Sequence, residues 1–213
     1  MPRKPNTETR RAEIVAALRK VMARTGYGQA TVQAVAREAG LAPGLIHYHF
    51  EDKREILMAL VKSVASVGGE RYARMAEGAR SAAGRLRAYI DARLALGPGA
   101  DPDAVAAWVV IGAEAIRDAK VRELYQEATS AEIEVLRTLL ADYMDEEGKS
   151  ARAAPLLAAS LCAFMEGAYQ LASAAPKAMP KGYAADAAMQ LAERFVAGEP
   201  ALRRRAIKTA RRP

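Results

Sequence analysis

The chain has 213 residues, of which 51% are hydrophobic and 27% are charged, a balance typical of a globular protein rather than a disordered one. Its longest apolar stretches, 105–113 and 155–165, are much shorter than the roughly 20 residues that cross a bilayer. The polar N-terminus lacks the apolar run of a secretory signal, and the single cysteine, Cys162, cannot form an internal disulfide. We therefore expect a cytoplasmic protein with no membrane association.

The net charge of +7 is unevenly distributed along the chain. Residues 1–60 contain ten Lys and Arg against six Asp and Glu, residues 61–200 contain sixteen against nineteen, and residues 201–213 contain six against none. Basic ends around a mildly acidic middle favour a polyanion as the partner of the N-terminal part. Basic tails are also common as solvated segments, so charge alone leaves both interpretations open.

Three helices are predicted in the first 50 residues. Apolar residues recur three and four positions apart over residues 7–25, which indicates an amphipathic helix. After a glycine-rich break, Thr31 as N-cap and Gly40 as the closing residue bound a second, short helix. Pro43, at a first helical position, starts a third helix that ends near His49.

The helical periodicity continues to about residue 195. Asp52 and Glu55 form a capping-box pattern before a fourth helix that reaches the seventies. Five further helices are predicted, at about 86–94, 103–117, 121–143, 153–174 and 185–195. No window shows the strict alternation of a strand, and no internal repeat is visible. We predict an all-α fold of about nine helices.

The spacing within residues 31–50 carries the functional signal, because two short helices joined by a turn form a helix-turn-helix. A seven-residue helix is about 10 Å long and fits end-on into a major groove roughly 12 Å wide. The third predicted helix therefore has the dimensions of a helix that reads DNA bases.

This segment resembles the N-terminal part of the tetracycline-repressor (TetR) family of bacterial transcriptional regulators. The residues that carry the resemblance are Gly26-Tyr27, Thr31, Val35-Ala36, Ala39-Gly40-Leu41, Gly44, Ile46, Tyr48-His49-Phe50, Lys53 and Leu57. The resemblance implies a DNA-binding head (residues 1–52), a body that binds a small ligand and forms a homodimer (residues 53–200), and operator release on ligand binding. Residues 201–213 form a basic tail. Residues 45–50 and 105–140 look similar to the choline-responsive, BetI-like branch.

The resemblance assigns DNA contacts to Thr31, Gln33, Pro43, Gly44, His47, Tyr48, His49 and Lys53. Within this set Tyr48 is expected to contact phosphate, His49 to face the scaffold, and His47 to meet phosphate or base edges. Thr31 is equally suited to be an ordinary N-cap. At Lys53 a solvated lysine is the alternative, and the family position favours the phosphate contact. Pro43 and Gly44 offer few donors, so base discrimination is expected to depend on Gln33, His47, thymine methyl groups and DNA shape.

The eighth predicted helix is apolar around most of its circumference, which indicates burial on two sides. From the family arrangement we expect a dimer seam formed by Leu157, Leu161, Phe164, Ala168 and Leu171 together with Met189 and Phe195 of the ninth helix. The alternative is a central helix of a monomer.

The opposite face of this helix is expected to look into a ligand pocket. The candidate lining residues are Trp108, Glu114, Arg117, Tyr125, Glu166 and Tyr169, each of which is also compatible with an ordinary core or surface role. Two glutamates and several aromatic rings favour a cationic or amine ligand.

Two other classes of function were weighed. An enzyme is disfavoured because the sequence has no phosphate loop, no metal-spaced ligand set and no nucleophile with a plausible base, so we expect no cofactor and no metal. A helical protein that coats DNA without specificity remains an alternative because of the basic tail. Repressor and activator roles are not distinguished by the sequence, although a repressor released by its ligand fits the resemblance best.

Overall fold

A computed structural model describes residues 7–202 of the chain. Within these residues it contains nine α-helices and no β-strand, so the predicted all-α fold is confirmed. The helices are α1 (Thr7–Gln29), α2 (Val32–Ala39), α3 (Pro43–His49), α4 (Lys53–Ala76), α5 (Ala82–Leu94), α6 (Pro102–Ala115), α7 (Ala119–Glu146), α8 (Ala154–Ala174) and α9 (Tyr183–Gly198). No helix between residues 7 and 202 combines the length and apolarity that crossing a bilayer requires.

Most helices begin at a side-chain cap. Thr31, Asp52, Ser81, Asp101 and Asp118 each accept a hydrogen bond from a backbone N–H in the first turn of the helix that follows. Such a cap typically contributes about 1 kcal/mol, because it satisfies a donor that has no partner inside the helix. The predicted caps Thr31 and Asp52 are confirmed, whereas α5, capped by Ser81, begins at Ala82, earlier than the predicted start near residue 86.

Two helix ends in the head depend on glycine. Gly26 leaves the helical conformation at φ 75°, so α1 is broken where the sequence predicts an interruption, and a further turn extends it to Gln29. Gly40 closes α2 in the left-handed region at φ 66°, where a side chain would be strained. By contrast, Ala42, the N-cap residue before α3, provides no side-chain cap.

The core of the head continues into the body. Ile14, Leu18, Ile46 and Phe50 are buried in one cluster that also contains Ile111 of α6. Residues of α4 and the start of α7 belong to the same cluster. Because α1 packs along α6, a shift of α6 would be felt directly by the head.

A second core holds the rest of the body together. It is formed by α5, α7, α8 and α9, with Leu86, Ile90, Leu140, Leu161 and Ala188 among its most buried side chains. The longest helix, α7, has 28 residues and is therefore about 42 Å long, and it begins near the head and ends far from it.

The end of the described chain is attached to the distal end of α7. Lys149 Nζ donates to the carbonyl oxygens of Ala197 and Glu199, both at 2.8 Å, and the Leu202 N–H donates to the Gly148 oxygen at 2.8 Å. The basic tail was predicted for 201–213, and its residues 203–213 lie outside the described part of the chain. The tail therefore starts about 40 Å along α7 from the end of that helix nearest the head.

Candidate DNA interface and effector cavity

Helix α3 has one buried and one exposed side. Ile46 faces the core of the head, whereas Pro43, Gly44 and His47 are exposed and Tyr48 is 78% exposed. A large aromatic side chain with this exposure contributes little to the stability of the fold. The arrangement leaves its hydroxyl and the edge of His47 free to meet a ligand as large as a DNA duplex.

The start of α2 lies next to this surface in sequence and is also exposed. Thr31 Oγ1 accepts a hydrogen bond from the Ala34 N–H at 3.1 Å, so the ordinary capping role is present. Its hydroxyl hydrogen is still available as a donor, and Gln33 is exposed beside it. The capping role and a phosphate contact are therefore compatible at Thr31.

Lys53 is already engaged by the head. Its ammonium donates to the Tyr27 carbonyl oxygen at 2.9 Å and lies 4.1 Å from the centroid of the Tyr27 ring. This contact ties the end of α1 to the first turn of α4. Burial, with the nearby carboxylates of Glu114 and Asp52, raises the pKa of Tyr27 to about 12. Because an ammonium has three donor hydrogens, Lys53 keeps the capacity for a phosphate contact.

His49 belongs to the scaffold of the head. It is half-buried, and its carbonyl oxygen accepts a hydrogen bond from the Arg11 guanidinium. Arg11 also pairs with Glu55 at 2.9 Å and lies 3.9 Å from the centroid of the Phe50 ring. Bonds from the Glu51 N–H and from Arg11 lower the pKa of Glu55. Arg11 therefore fixes the corner between α3 and α4, a role that its place on the polar side of α1 does not reveal in the sequence.

Three of the predicted ligand residues meet in the body. Trp108 Nε1 donates to Glu166 at 2.8 Å, the Tyr125 hydroxyl donates to the other Glu166 oxygen at 3.0 Å, and the Trp108 and Tyr125 rings stack at 4.7 Å. A Cβ at Gly112 would lie 3.3 Å from the Tyr125 hydroxyl, so the glycine leaves room for this stack. Both oxygens of Glu166 are thus occupied by donors from the protein.

Glu114 and Arg117 do not join this group, which corrects the predicted pocket. Glu114 is half-buried at the end of α6 and lies close enough to raise the pKa of Tyr27 in the head, while Arg117 is exposed. The reason is that α6 ends at Ala115, where the chain turns towards α7 on the side of the head.

The sequence analysis did not predict a buried ion pair that lies near Trp108, Tyr125 and Glu166. Glu132 is buried, lies 3.4 Å from the Arg93 guanidinium, and accepts a hydrogen bond from the Tyr89 hydroxyl at 3.4 Å. Burial raises the pKa of Glu132, and Arg93 opposes that rise. The sequence signal for this ion pair was the position of Glu132, a charged residue on the same apolar face of α7 as Leu136.

A cavity of about 90 Å³ lies between α4, α5, α6 and α8. Its lining residues are Val64, Ala65, Val67, Gly68, Arg71, Ala92, Arg93, Gly99, Asp101, Ala104, Val105, Trp108 and Tyr169. Trp108 and Tyr169 are therefore the two predicted ligand residues that line it. The wall is mostly apolar with a few charged groups, as in small-molecule sites.

Two ion pairs join the caps of α6 and α7 to α1 and α4, respectively. Asp101 lines the cavity, caps α6 through its bond from the Ala104 N–H, and pairs with Arg19 of α1 at 2.5 Å. Asp118, the cap of α7, pairs with Arg54 of α4 at 3.1 Å. One carboxylate thus touches the cavity, the start of α6 and the head.

The predicted dimer seam needs a correction. Leu157, Leu161, Ala168 and Met189 are buried inside the chain's own core, and Leu161 is only 2% exposed, so they are covered before any partner arrives. Phe164 and Phe195 are half-buried, and Leu171 is at the surface. A helix apolar on most sides has two candidate faces, and its sequence alone did not distinguish the inner one from the outer one.

The outward side of α8 is a stripe of apolar and small residues. It consists of Leu156, Ala159, Ala163, Gly167 and Leu171, and Leu191 of α9 is exposed as well. Leu156 is 65% exposed, which is unusual for a leucine in a helix so well packed on its other side. We call these six residues the α8–α9 stripe.

The head and the all-helical body define a helix-turn-helix regulatory protein. Residues 14–60 match the family described as "Bacterial regulatory proteins, tetR family", and residues 82–201 match the "BetI-type transcriptional repressor, C-terminal" family. The second match covers more than half of the chain. The chain belongs to the TetR family and carries a BetI-type C-terminal region.

Curated relatives and solved structures agree with this assignment. The chain is 33% identical over 127 residues to the HTH-type transcriptional regulator BetI of Rhizobium meliloti (strain 1021), covering 58% of this chain and 61% of that relative. A transcriptional regulator from Pseudomonas aeruginosa PAO1 has a TM-score of 0.78 at 21% identity, covering 92% of this chain and 94% of that one. One from Saccharomonospora viridis, in complex with choline, has a TM-score of 0.72 at 23% identity, covering 88% and 95%. At these identities the structural likeness shows the fold alone.

Proposed function

We propose that this chain is a ligand-responsive transcriptional repressor that binds a palindromic operator as a homodimer and leaves it when a small molecule occupies the body. The observation that carries the proposal is α3, which turns Ile46 inward and leaves Pro43, Gly44, His47 and Tyr48 exposed on a basic head. We place the regulator in the cytoplasm with its DNA, and we propose no catalytic role for it.

In this proposal the head supplies both kinds of DNA contact. Thr31, Tyr48 and Lys53 bind phosphates, which set the register on the duplex without reading sequence. His47 and Gln33 meet base edges in the major groove, where each good bidentate contact discriminates by about 1 to 3 kcal/mol. Because Lys53 also holds Tyr27, the loss of this lysine would disturb the start of α4 as well as one phosphate contact.

The α8–α9 stripe is the proposed homodimer surface. Small residues such as Ala159, Ala163 and Gly167 allow two copies of α8 to approach closely, and Leu156 and Leu191 supply apolar area to bury. A two-fold axis through this stripe gives two heads, whose α3 helices would enter successive major grooves about 34 to 36 Å apart. In this division residues 1–52 bind DNA, with Lys53 at the start of α4 adding a phosphate contact, and residues 53–200 bind effector and partner.

The cavity and its ion pairs support a route from effector to operator. An occupant of the cavity would contact Asp101 or its neighbours at the start of α6, and Asp101 is paired with Arg19 in α1. A displacement there would move α1 of the head relative to α4, which packs on α5 and α7 and is also joined to the start of α7 by the pair of Arg54 with Asp118. The choline complex of the Saccharomonospora viridis regulator motivates a small-molecule effector here.

The test is a DNA selection followed by matched lysine variants. The full chain should enrich an inverted repeat from a random duplex library. Lys53→Ala should then weaken binding and reduce the slope of log affinity against log salt by about one, since one phosphate contact is lost. Lys62→Ala is the control, because Lys62 is exposed on the same helix two turns away from the head. No enriched sequence, or equal effects of the two variants, would contradict the proposal.

A further inference from the structure

We infer that the cavity between α4, α5, α6 and α8 takes a small apolar anion, with a carboxylate bound by Arg71. This inference rests on the proposed function only in that the cavity is taken as the effector site. It replaces the cationic ligand that the glutamates suggested from the sequence. Neither Glu166 nor Glu132 lines the cavity, and both already accept hydrogen bonds from protein side chains.

Arg71 carries a buried guanidinium whose three nitrogens are not all hydrogen-bonded within residues 7–202. Only 8% of the residue is exposed, and its two terminal nitrogens donate to the Ala92 and Ala95 carbonyl oxygens, both at 2.9 Å. These bonds hold the group at the end of α5. Its Nε–H is buried and has no hydrogen-bond partner within residues 7–202. A Cβ at Gly99 would lie 3.7 Å from this nitrogen, and both residues line the cavity.

The charges around the cavity leave Arg71 uncompensated. Of the other charged lining residues, Arg93 is paired with Glu132 at 3.4 Å and Asp101 with Arg19 at 2.5 Å. Arg71 has no ion-pair partner in the described part of the chain. The two carbonyl oxygens at the end of α5 carry only partial negative charge, and a ligand carboxylate against the guanidinium would supply the full counter-charge.

The lining of the cavity determines the polarity and size of the rest of the ligand. Val64, Val67, Ala104, Val105 and Trp108 present apolar surface, so the part of the ligand away from the carboxylate should be hydrocarbon. The volume of about 90 Å³ is smaller than the cavity of about 150 Å³ that holds benzene in another protein. A branched carboxylate with a few carbon atoms matches this size. A cation there would face the guanidinium groups of Arg71 and Arg93 against the single carboxylate of Asp101, which is paired with Arg19.

The test uses Trp108, the only tryptophan of the chain, as a reporter in the cavity wall. The full chain, without DNA, is titrated with isobutyrate, with neutral isobutyramide, and with the cations isobutylamine and choline. We expect saturable changes in emission with isobutyrate, at an affinity at least about tenfold above that for the other three, since a charge-assisted hydrogen bond is lost without the carboxylate. Tighter binding of choline or isobutylamine, or no saturable effect of isobutyrate, would overturn the inference.

Two variants and a control locate the contact. Arg71→Gln should weaken isobutyrate binding at least about tenfold, and Lys62→Gln, which removes an exposed cation on the same helix outside the cavity lining, should leave it unchanged. Because Arg71 also caps α5, Val105→Phe provides a second variant that retains the guanidinium but fills the cavity, and it should abolish binding. Unaltered isobutyrate binding in either Arg71→Gln or Val105→Phe would refute the assignment.

A separate operator-binding measurement on the wild-type chain keeps the two proposals apart. Operator binding without isobutyrate binding contradicts only the ligand class. Isobutyrate binding that depends on Arg71, without any sequence-specific DNA binding, contradicts only the proposed regulatory function.

Discussion

The position of Ala163 gives a sharp test of the dimer surface. Ala163 is exposed in the α8–α9 stripe, whereas Leu161, two residues earlier, is 2% exposed in the core of the chain. Ala163→Glu would place two carboxylates, one from each copy, in the apolar seam. Burying an unpaired charge costs several kcal/mol per ion, and about 4 kcal/mol in total already raises the dissociation constant about a thousandfold.

Leu161→Ala should behave in the opposite way. It removes a fully buried side chain, which typically costs about 2 to 5 kcal/mol of folding stability, but it leaves the α8–α9 stripe intact. Ala73→Glu, an exposed alanine of α4, is the control for adding a glutamate to a helix surface.

Sedimentation velocity and thermal unfolding at one fixed protein concentration separate these effects. Ala163→Glu should sediment as a monomer with helical content preserved, Leu161→Ala should remain a dimer with a lower melting temperature, and Ala73→Glu should match the wild type. The reasoning fails if Ala163→Glu keeps the wild-type dimer, or if Leu161→Ala dissociates the dimer without loss of stability.

Three further predictions follow from the body. Asp101→Asn should retain operator binding but reduce its response to the effector, because the pair with Arg19 is lost; a DNA titration with and without effector measures this. Burial raises the pKa of Cys162 to about 12, so the native thiol should stay unreactive to thiol reagents at pH 8 and react only after unfolding. The same shift means that the free energy of unfolding should fall as pH rises from about 9 towards 12, because only the unfolded thiol ionises there, and Cys162→Ala should remove that part of the slope. Glu166→Leu should lower the melting temperature and change Trp108 emission, because it leaves two donors unpaired; an unchanged emission spectrum would argue against the observed bond.

Much of the fold was predictable because the local signals agree. Thr31, Asp52 and Gly40 mark helix ends through their own side-chain or backbone chemistry, which does not depend on the rest of the molecule. The all-α class follows from the helical period within each apolar segment and from the lack of strand-like alternation.

The site was less predictable because it depends on which helices meet. Trp108, Tyr125 and Glu166 were predicted for one pocket and do meet, but the pairing of Arg93 with Glu132, which links α5 to α7, was not predicted. Contacts between residues so far apart in the chain produce no recognisable pattern in the sequence. Helix α8 shows the same limit, since the sequence identified two apolar faces and the structure was needed to decide which one the chain itself covers.

The most direct test of the central claim is the spacing of the operator half-sites. Inserting about five base pairs at the centre of the selected inverted repeat rotates one half-site by about half a turn, whereas about ten restore its face. If two heads on a two-fold dimer bind together, affinity should fall to the non-specific level with the half-turn insertion and recover partly with the full turn. Equal affinity for all three duplexes would contradict the account.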